Sequence, residues 1–169
     1  MEISLKRQKS LFPTKLYPES KYSFDTNAFI EPWRDYYPID LFGPLWDFIS
    51  NQIRNRRILA TFLVKEELEV QKDELVDYVK KYDNLFVLPT TEEQKMVKNI
   101  INHPNFSHWA SGLRNKADPF VVALAKTANL KVVTYENPQS PKRIPAACRE
   151  FRVEYITFLD FLREEDFVL

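Results

Sequence analysis

Four acidic side chains could do chemistry together: Asp25 closing YSFD, Glu67 in VKEEL, Asp118 in ADPFVVALA and Glu136 in KVVTYE. Each lies at or near the junction of a strand-like and a helix-like segment. In a parallel α/β sheet, ligands bind at the carboxyl-terminal edge of the strands. Four carboxylates brought together there would repel one another unless a cation held them. Mg²⁺ and Mn²⁺ take oxygen ligands of this kind in near-octahedral geometry. The sharp expectation is a hard-metal phosphodiesterase site. Three of the acids also have a plain structural reading. Asp118 followed by Pro119 would cap a helix, Asp25 would shape the DTN turn, and Glu67 would be one charge on a charge-rich helix.

The elements that must position these acids follow from periodicity. Tyr22-Ser23-Phe24 alternates as a first strand, with a short helix over 27–34 after it. Leu45, Phe48, Ile49 and Ile53 give an amphipathic helix from Pro44, and 58–61 reads as a strand. Val64, Leu68, Leu75 and Val79 share one face of a surface helix over 64–81, with Glu67 in its first turn. Residues 85–88 form a strand, 91–102 a helix, and 103–117 a short helix beside a loop. Phe120, Leu124 and Ala128 line one face of the helix that Asp118 opens. Strands at 132–134 and around Tyr155-Ile156 follow, with a helix near 144–151 between them and a terminal helix after them. This alternation implies a mostly parallel α/β sheet with right-handed crossovers.

Composition bounds the function. A chain of 169 residues with 44% apolar content suits one folded domain, read as an irregular arm over 1–20 and a globular part over 21–169. There is no apolar run long enough for a bilayer and no apolar h-region near the N-terminus, so no membrane role is expected. Cys148 is the single cysteine, which excludes an internal disulfide, fits a reducing cytoplasm and reads as a small buried hydrophobe. Lys plus Arg and Asp plus Glu each total 24, so no global positive field recruits nucleic acid. Local basic groups at Lys6, Arg7, Lys9, Lys15 and Lys21, and at Arg54, Arg56 and Arg57, could rim an acidic centre or simply be solvated. With two glycines, Gly43 and Gly112, no Gly-rich phosphate loop can be assembled. Asn27 stands where a haloacid-dehalogenase-type phosphatase would want a second aspartate. His103 and His108 are poorly spaced for zinc on one helix face. Trp33, Tyr36 and Tyr37 could stack on bases or pack the first helix and a partner surface.

SFDTNAFIEPW resembles the opening motif of PIN-domain ribonucleases. VKEEL is similar to their glutamate–leucine helix, ADPFVVALA to their central aspartate–alanine helix, and VVTYE to their strand with threonine and a final acid. With KRIPAACREFRVEYITF, the ordered set over 21–162 looks most like the PIN-like branch of DUF4411 type. The resemblance implies a three-layer α/β/α sandwich around a mostly parallel five-stranded sheet in the order 3-2-1-4-5. It implies Asp25, Glu67, Asp118 and Glu136 as acids holding Mg²⁺ or Mn²⁺, Thr134 on a water or phosphate, and Asn27 orienting Asp25 or a water. Glu66 competes with Glu67, and Glu136 stands where the family commonly has aspartate. The implied activity is metal-dependent endoribonucleolytic hydrolysis of RNA, as the toxin of a toxin–antitoxin pair, with an antitoxin or a second copy as partner. The alternative is a catalytically weak PIN-like module that binds RNA or protein.

Overall fold

The computed structural model describes residues 16–111 and 116–169. Most of the expected arm over 1–20 lies outside them, as do Lys6, Arg7, Lys9, Lys15 and four residues of the 103–117 segment. Five short, largely apolar runs form strands: β1 (Tyr22–Phe24), β2 (Ile58–Thr61), β3 (Phe86–Val87), β4 (Lys131–Val133) and β5 (Tyr155–Ile156). Neighbours pair in parallel throughout, in the order β3-β2-β1-β4-β5. The helices are α1 (Thr26–Glu31), α2 (Gly43–Arg54), α3 (Phe62–Glu69), α4 (Glu74–Val79), α5 (Thr91–Asn102), α6 (Asp118–Ala128), α7 (Ile144–Glu150) and α8 (Phe158–Glu164).

The central strand shows how the three layers arise. Side chains alternate across a strand, so Tyr22 and Phe24 face one side, where both rings meet Phe161 of α8 edge-on at 4.9 and 5.2 Å between centroids. Phe48 of α2 completes this aromatic layer against Phe161 and Phe167. Ser23 faces the other side, and its hydroxyl donates to the Val121 carbonyl of α6 at 3.1 Å. Helix α6 is buried at every position from Val121 to Ala125, as expected of a helix covered all round. It packs on β1, β2 and β4 and beneath α5 and α7.

The surface helix expected over 64–81 is two helices. Lys72 takes a left-handed conformation at φ 51°, and Asp73 caps α4. Glu67 consequently sits in the second turn of α3, which starts at Phe62. The helix expected over 27–34 is α1 followed by a π-helical turn, Pro32–Tyr36. A chain this poor in glycine must end its helices on other residues. Arg56, Lys72, Asn129, Arg152 and Asp166 all adopt positive φ just beyond α2, α3, α6, α7 and α8, the left-handed position that glycine usually fills.

Lys21 and the Arg54–Arg57 cluster do not rim the acidic centre. They precede β1 and β2 and so lie at the amino-terminal edge of the sheet. There Glu165 accepts a two-pronged contact from Arg57, with Lys21 and the Tyr22 hydroxyl also donating, which ties the end of α8 to the base of β1.

Candidate functional site

The carboxyl-terminal edge of the sheet holds a cavity of about 320 Å³ lined by Asp25, Glu67, Asp118 and Glu136, with Thr26, Asn27 and Arg143 between them. Strand β1 delivers Asp25: its N–H extends the ladder to the Val133 carbonyl at 3.0 Å, and the chain then turns into α1. Asp118 is the first residue of α6, and Glu136 follows β4 across a two-residue link. Glu67 faces the cavity from α3, whereas Glu66 is exposed.

Three of the four carboxylates accept a protein hydrogen bond on each oxygen. Asp25 Oδ1 accepts from the Thr26 N–H at 2.7 Å, and its Oδ2 accepts from Thr134 Oγ1 at 2.9 Å. Glu67 accepts from Thr26 Oγ1 through one oxygen and from the Ala117 N–H, at 3.1 Å, through the other. Glu136 accepts from Arg143 Nη1 at 3.2 Å and from the Ile144 N–H at 2.7 Å. Asp118 is the exception: its Oδ2 is buried without a partner. Nor does Asp118 cap its helix, since Ala117 occupies the cap position and no side chain caps α6. The Ala117 amide is satisfied instead by Glu67, from 50 residues earlier in the chain.

These surroundings leave two carboxyls reluctant to ionise. Burial pushes Asp25 upward, and the Glu136 charge adds to this; hydrogen bonds from Thr134 and Thr26 only partly oppose it. Asp118 is raised further, first by burial and then by Asp25, Glu136 and Glu67, with Arg143 pulling the other way. Mutual repulsion of this kind is what a cation would relieve. The donor chemistry suits a hard metal, and the orphaned Asp118 oxygen is free to coordinate one. The seating does not: among the described residues, no three of His, Cys, Asp and Glu are grouped to hold a metal ion. Each oxygen of Asp25, Glu67 and Glu136 already accepts one of the donors just named, so a cation would have to share or displace them.

Thr26 and Arg143 are site residues that motif reading missed. Thr26 joins Asp25 to Glu67 through its amide and its hydroxyl, and Arg143 is the cation among the described lining residues. The Ile144-Pro145 start of α7 carried a signal for Arg143, because a helix beginning there aims its first amide at the preceding loop. Thr134 holds Asp25 and accepts the Glu136 N–H at 3.1 Å, while Asn27 lines the cavity. Among the aromatics, Trp33 is buried against Trp46 and Tyr78, and Tyr37 packs on Phe42 and Phe158. Tyr36 is 55% exposed and stacks on Tyr135 with ring planes 8° apart. His103 lies 3.3 Å from Glu150 and packs on Phe106 and Phe151. Cys148 is fully buried, and burial pushes its thiol up.

Solved structures share the fold, among them two bound to DNA. A chain of VapBC2 from Rickettsia felis, bound to a DNA fragment from their promoter, is 12% identical with a TM-score of 0.50, covering 80% of this chain and 97% of that one. A chain of FitAB bound to the IR36 DNA fragment is 14% identical, also at 0.50, covering 81% and 94%. No curated protein matches. The family described as Domain of unknown function (DUF4411) matches residues 22–169. A parallel sheet in the order β3-β2-β1-β4-β5, an acidic pocket at its carboxyl edge and a family match over nearly the whole described chain agree: this is a PIN-like protein of the DUF4411 family.

Proposed function

We propose that this chain is a PIN-like RNA-binding module with weak or no cleavage activity in the arrangement described. The observation that carries this is the engagement of three of the four acids by the protein itself: both oxygens of Asp25, of Glu67 and of Glu136 already accept protein hydrogen bonds. Replacing those donors would cost each carboxylate a charge-assisted bond. RNA is the favoured partner because Tyr36 offers an open ring face and Arg143 a cation at the pocket.

A second reading is favoured by one specific feature, the buried, unpartnered Oδ2 of Asp118. It is a Mg²⁺- or Mn²⁺-dependent endoribonuclease in which Asp25, Glu67 and Asp118 hold the ion and Glu136 stands as the fourth acid. An ion bound there would supply Lewis-acid polarisation of a phosphodiester and a more acidic water. On this reading the chain serves as the toxin of a toxin–antitoxin pair, with an antitoxin or a second copy as partner.

The two readings separate in one experiment. Single-stranded and structured RNAs are incubated with wild-type, D25N and D118N protein in Mn²⁺, Mg²⁺ or chelator, with binding and cleavage measured together. Binding in chelator without cleavage in either metal supports the module. Cleavage that requires Mn²⁺ or Mg²⁺ and falls by about 100-fold or more in both variants supports the nuclease. Neither binding nor cleavage rejects both.

A further inference from the structure

We propose that Glu136 is the anchor of a phosphate-binding arginine, Arg143, and not the fourth ligand of a cation. Both oxygens of Glu136 are spent on the segment that carries Arg143: one on its guanidinium at 3.2 Å, the other on the next amide, Ile144 N–H, at 2.7 Å. The Glu136 side chain is 7% exposed, whereas that of Arg143 is half exposed. A buried carboxylate thus grips a guanidinium whose remaining donors open on the cavity and solvent. Nη1 is the nitrogen of Arg143 with an acceptor among the described residues. A guanidinium carries five N–H donors in a planar fork that matches the oxygens of a phosphodiester.

Charge in the cavity points the same way. Asp25, Glu67 and Asp118 present acids, and Arg143 is the cation among the described lining residues. A nucleic-acid backbone entering an acidic cavity needs a fixed positive group to receive its phosphate. Arg143, held at the cavity by Glu136, supplies one. The longer side chain at Glu136 then has a physical purpose, since it reaches from the end of β4 to the start of α7. This inference rests on the RNA-binding reading above.

The test measures binding of a labelled single-stranded RNA in chelator across a salt series for wild-type, R143A, R143K and E136Q proteins, with thermal unfolding of each. R143A should lose about 10-fold or more in affinity and flatten the salt slope by about 0.7, one phosphate contact on a single strand. R143K should keep the slope and recover part of the affinity, because a lysine retains the charge without the fork. E136Q removes a negative charge, so a merely acidic Glu136 predicts tighter RNA binding. The anchoring role predicts weaker binding with the salt slope intact. Wild-type affinity and slope in R143A and R143K overturn the arginine's role, and tighter binding by E136Q overturns the anchor. Absence of RNA binding by the wild type rejects the RNA-binding reading itself, and this inference with it.

Discussion

Thr134 and Asp25, 109 residues apart in sequence, are joined by a buried hydrogen bond of 2.9 Å from the threonine hydroxyl to Oδ2. The bond crosses from the end of β4 to the end of β1, and the same hydroxyl accepts the Glu136 N–H. One side chain therefore couples two acids of the cavity. Thr134→Val keeps the β-branched shape that the sheet favours and leaves both groups short of a partner. A buried polar group stranded in this way costs about 1–3 kcal/mol. We expect T134V to lower the urea midpoint by a corresponding amount with an unchanged m-value, and T134S to recover most of the loss. An unchanged midpoint in T134V would show the bond to be energetically idle.

Asp118 gives a pH dependence of unusual sign. Burial and the neighbouring acids raise its folded pKa to about 9, and that of Asp25 to about 7, whereas an unfolded aspartate titrates near ~3.9. The folded state thus holds these protons more tightly than the unfolded state does. The resulting stability is complete below about pH 4 and is lost as pH rises through the folded values. Asp118→Asn imitates the protonated form at every pH. In chelator, D118N should match the wild type near pH 4 and exceed it by roughly 1–3 kcal/mol at pH 8. Urea unfolding at the two pH values checks this, and a difference independent of pH is the contrary result.

Much of this architecture was legible in the chain. The YSF-D junction, the α5 periodicity over 91–102 and the start of α6 at Asp118 emerge in the structure as the residue patterns imply. Helix α6, by contrast, is buried over the whole run from Val121 to Ala125 and not on one face alone. The break between α3 and α4 was hidden. It falls in a charged stretch with no glycine or proline to mark it, and it is made by Lys72 in a left-handed conformation. Asp118-Pro119 looks like a cap because aspartate before proline usually is one. Here Ala117 takes the cap position one residue earlier, with its amide held by Glu67, a pairing that only tertiary structure creates. Thr26 escaped notice for the same reason: its partner Glu67 lies 41 residues away.

The α3–α4 break offers a direct measure of what replaces a glycine stop. The Asp73 carboxylate accepts from the Val76 N–H at the start of α4 and pairs with Arg34 of the π-helical turn. Both partners of that ion pair are about a third exposed, so its contribution is small, below about 1 kcal/mol. The cap itself should contribute about 1 kcal/mol. Asp73→Ala is expected to cost about 1–2 kcal/mol, Asp73→Asn less because asparagine still caps, and Arg34→Ala least. Equal losses in D73A and R34A would assign the stability to the ion pair.

Trp33 and Tyr36 sit in one five-residue turn yet face opposite tasks. The Trp33 ring lies 4.7 Å from Trp46 and 5.1 Å from Tyr78, with Trp46 donating its indole N–H to the Tyr37 carbonyl behind it. Truncating such a core indole costs about 3–5 kcal/mol, so Trp33→Ala should lower the melting temperature sharply. Tyr36 is stacked on Tyr135 and tilted against Tyr37, and more than half of it is exposed. Tyr36→Ala should leave the melting temperature nearly unchanged and weaken single-stranded RNA binding by about 1–3 kcal/mol, the contribution of one stacked base. The loss should be similar across RNA sequences, because every base presents a π-face. If Y36A binds RNA as tightly as the wild type, the exposed ring is no stacking platform, and base contacts must be sought elsewhere on the protein.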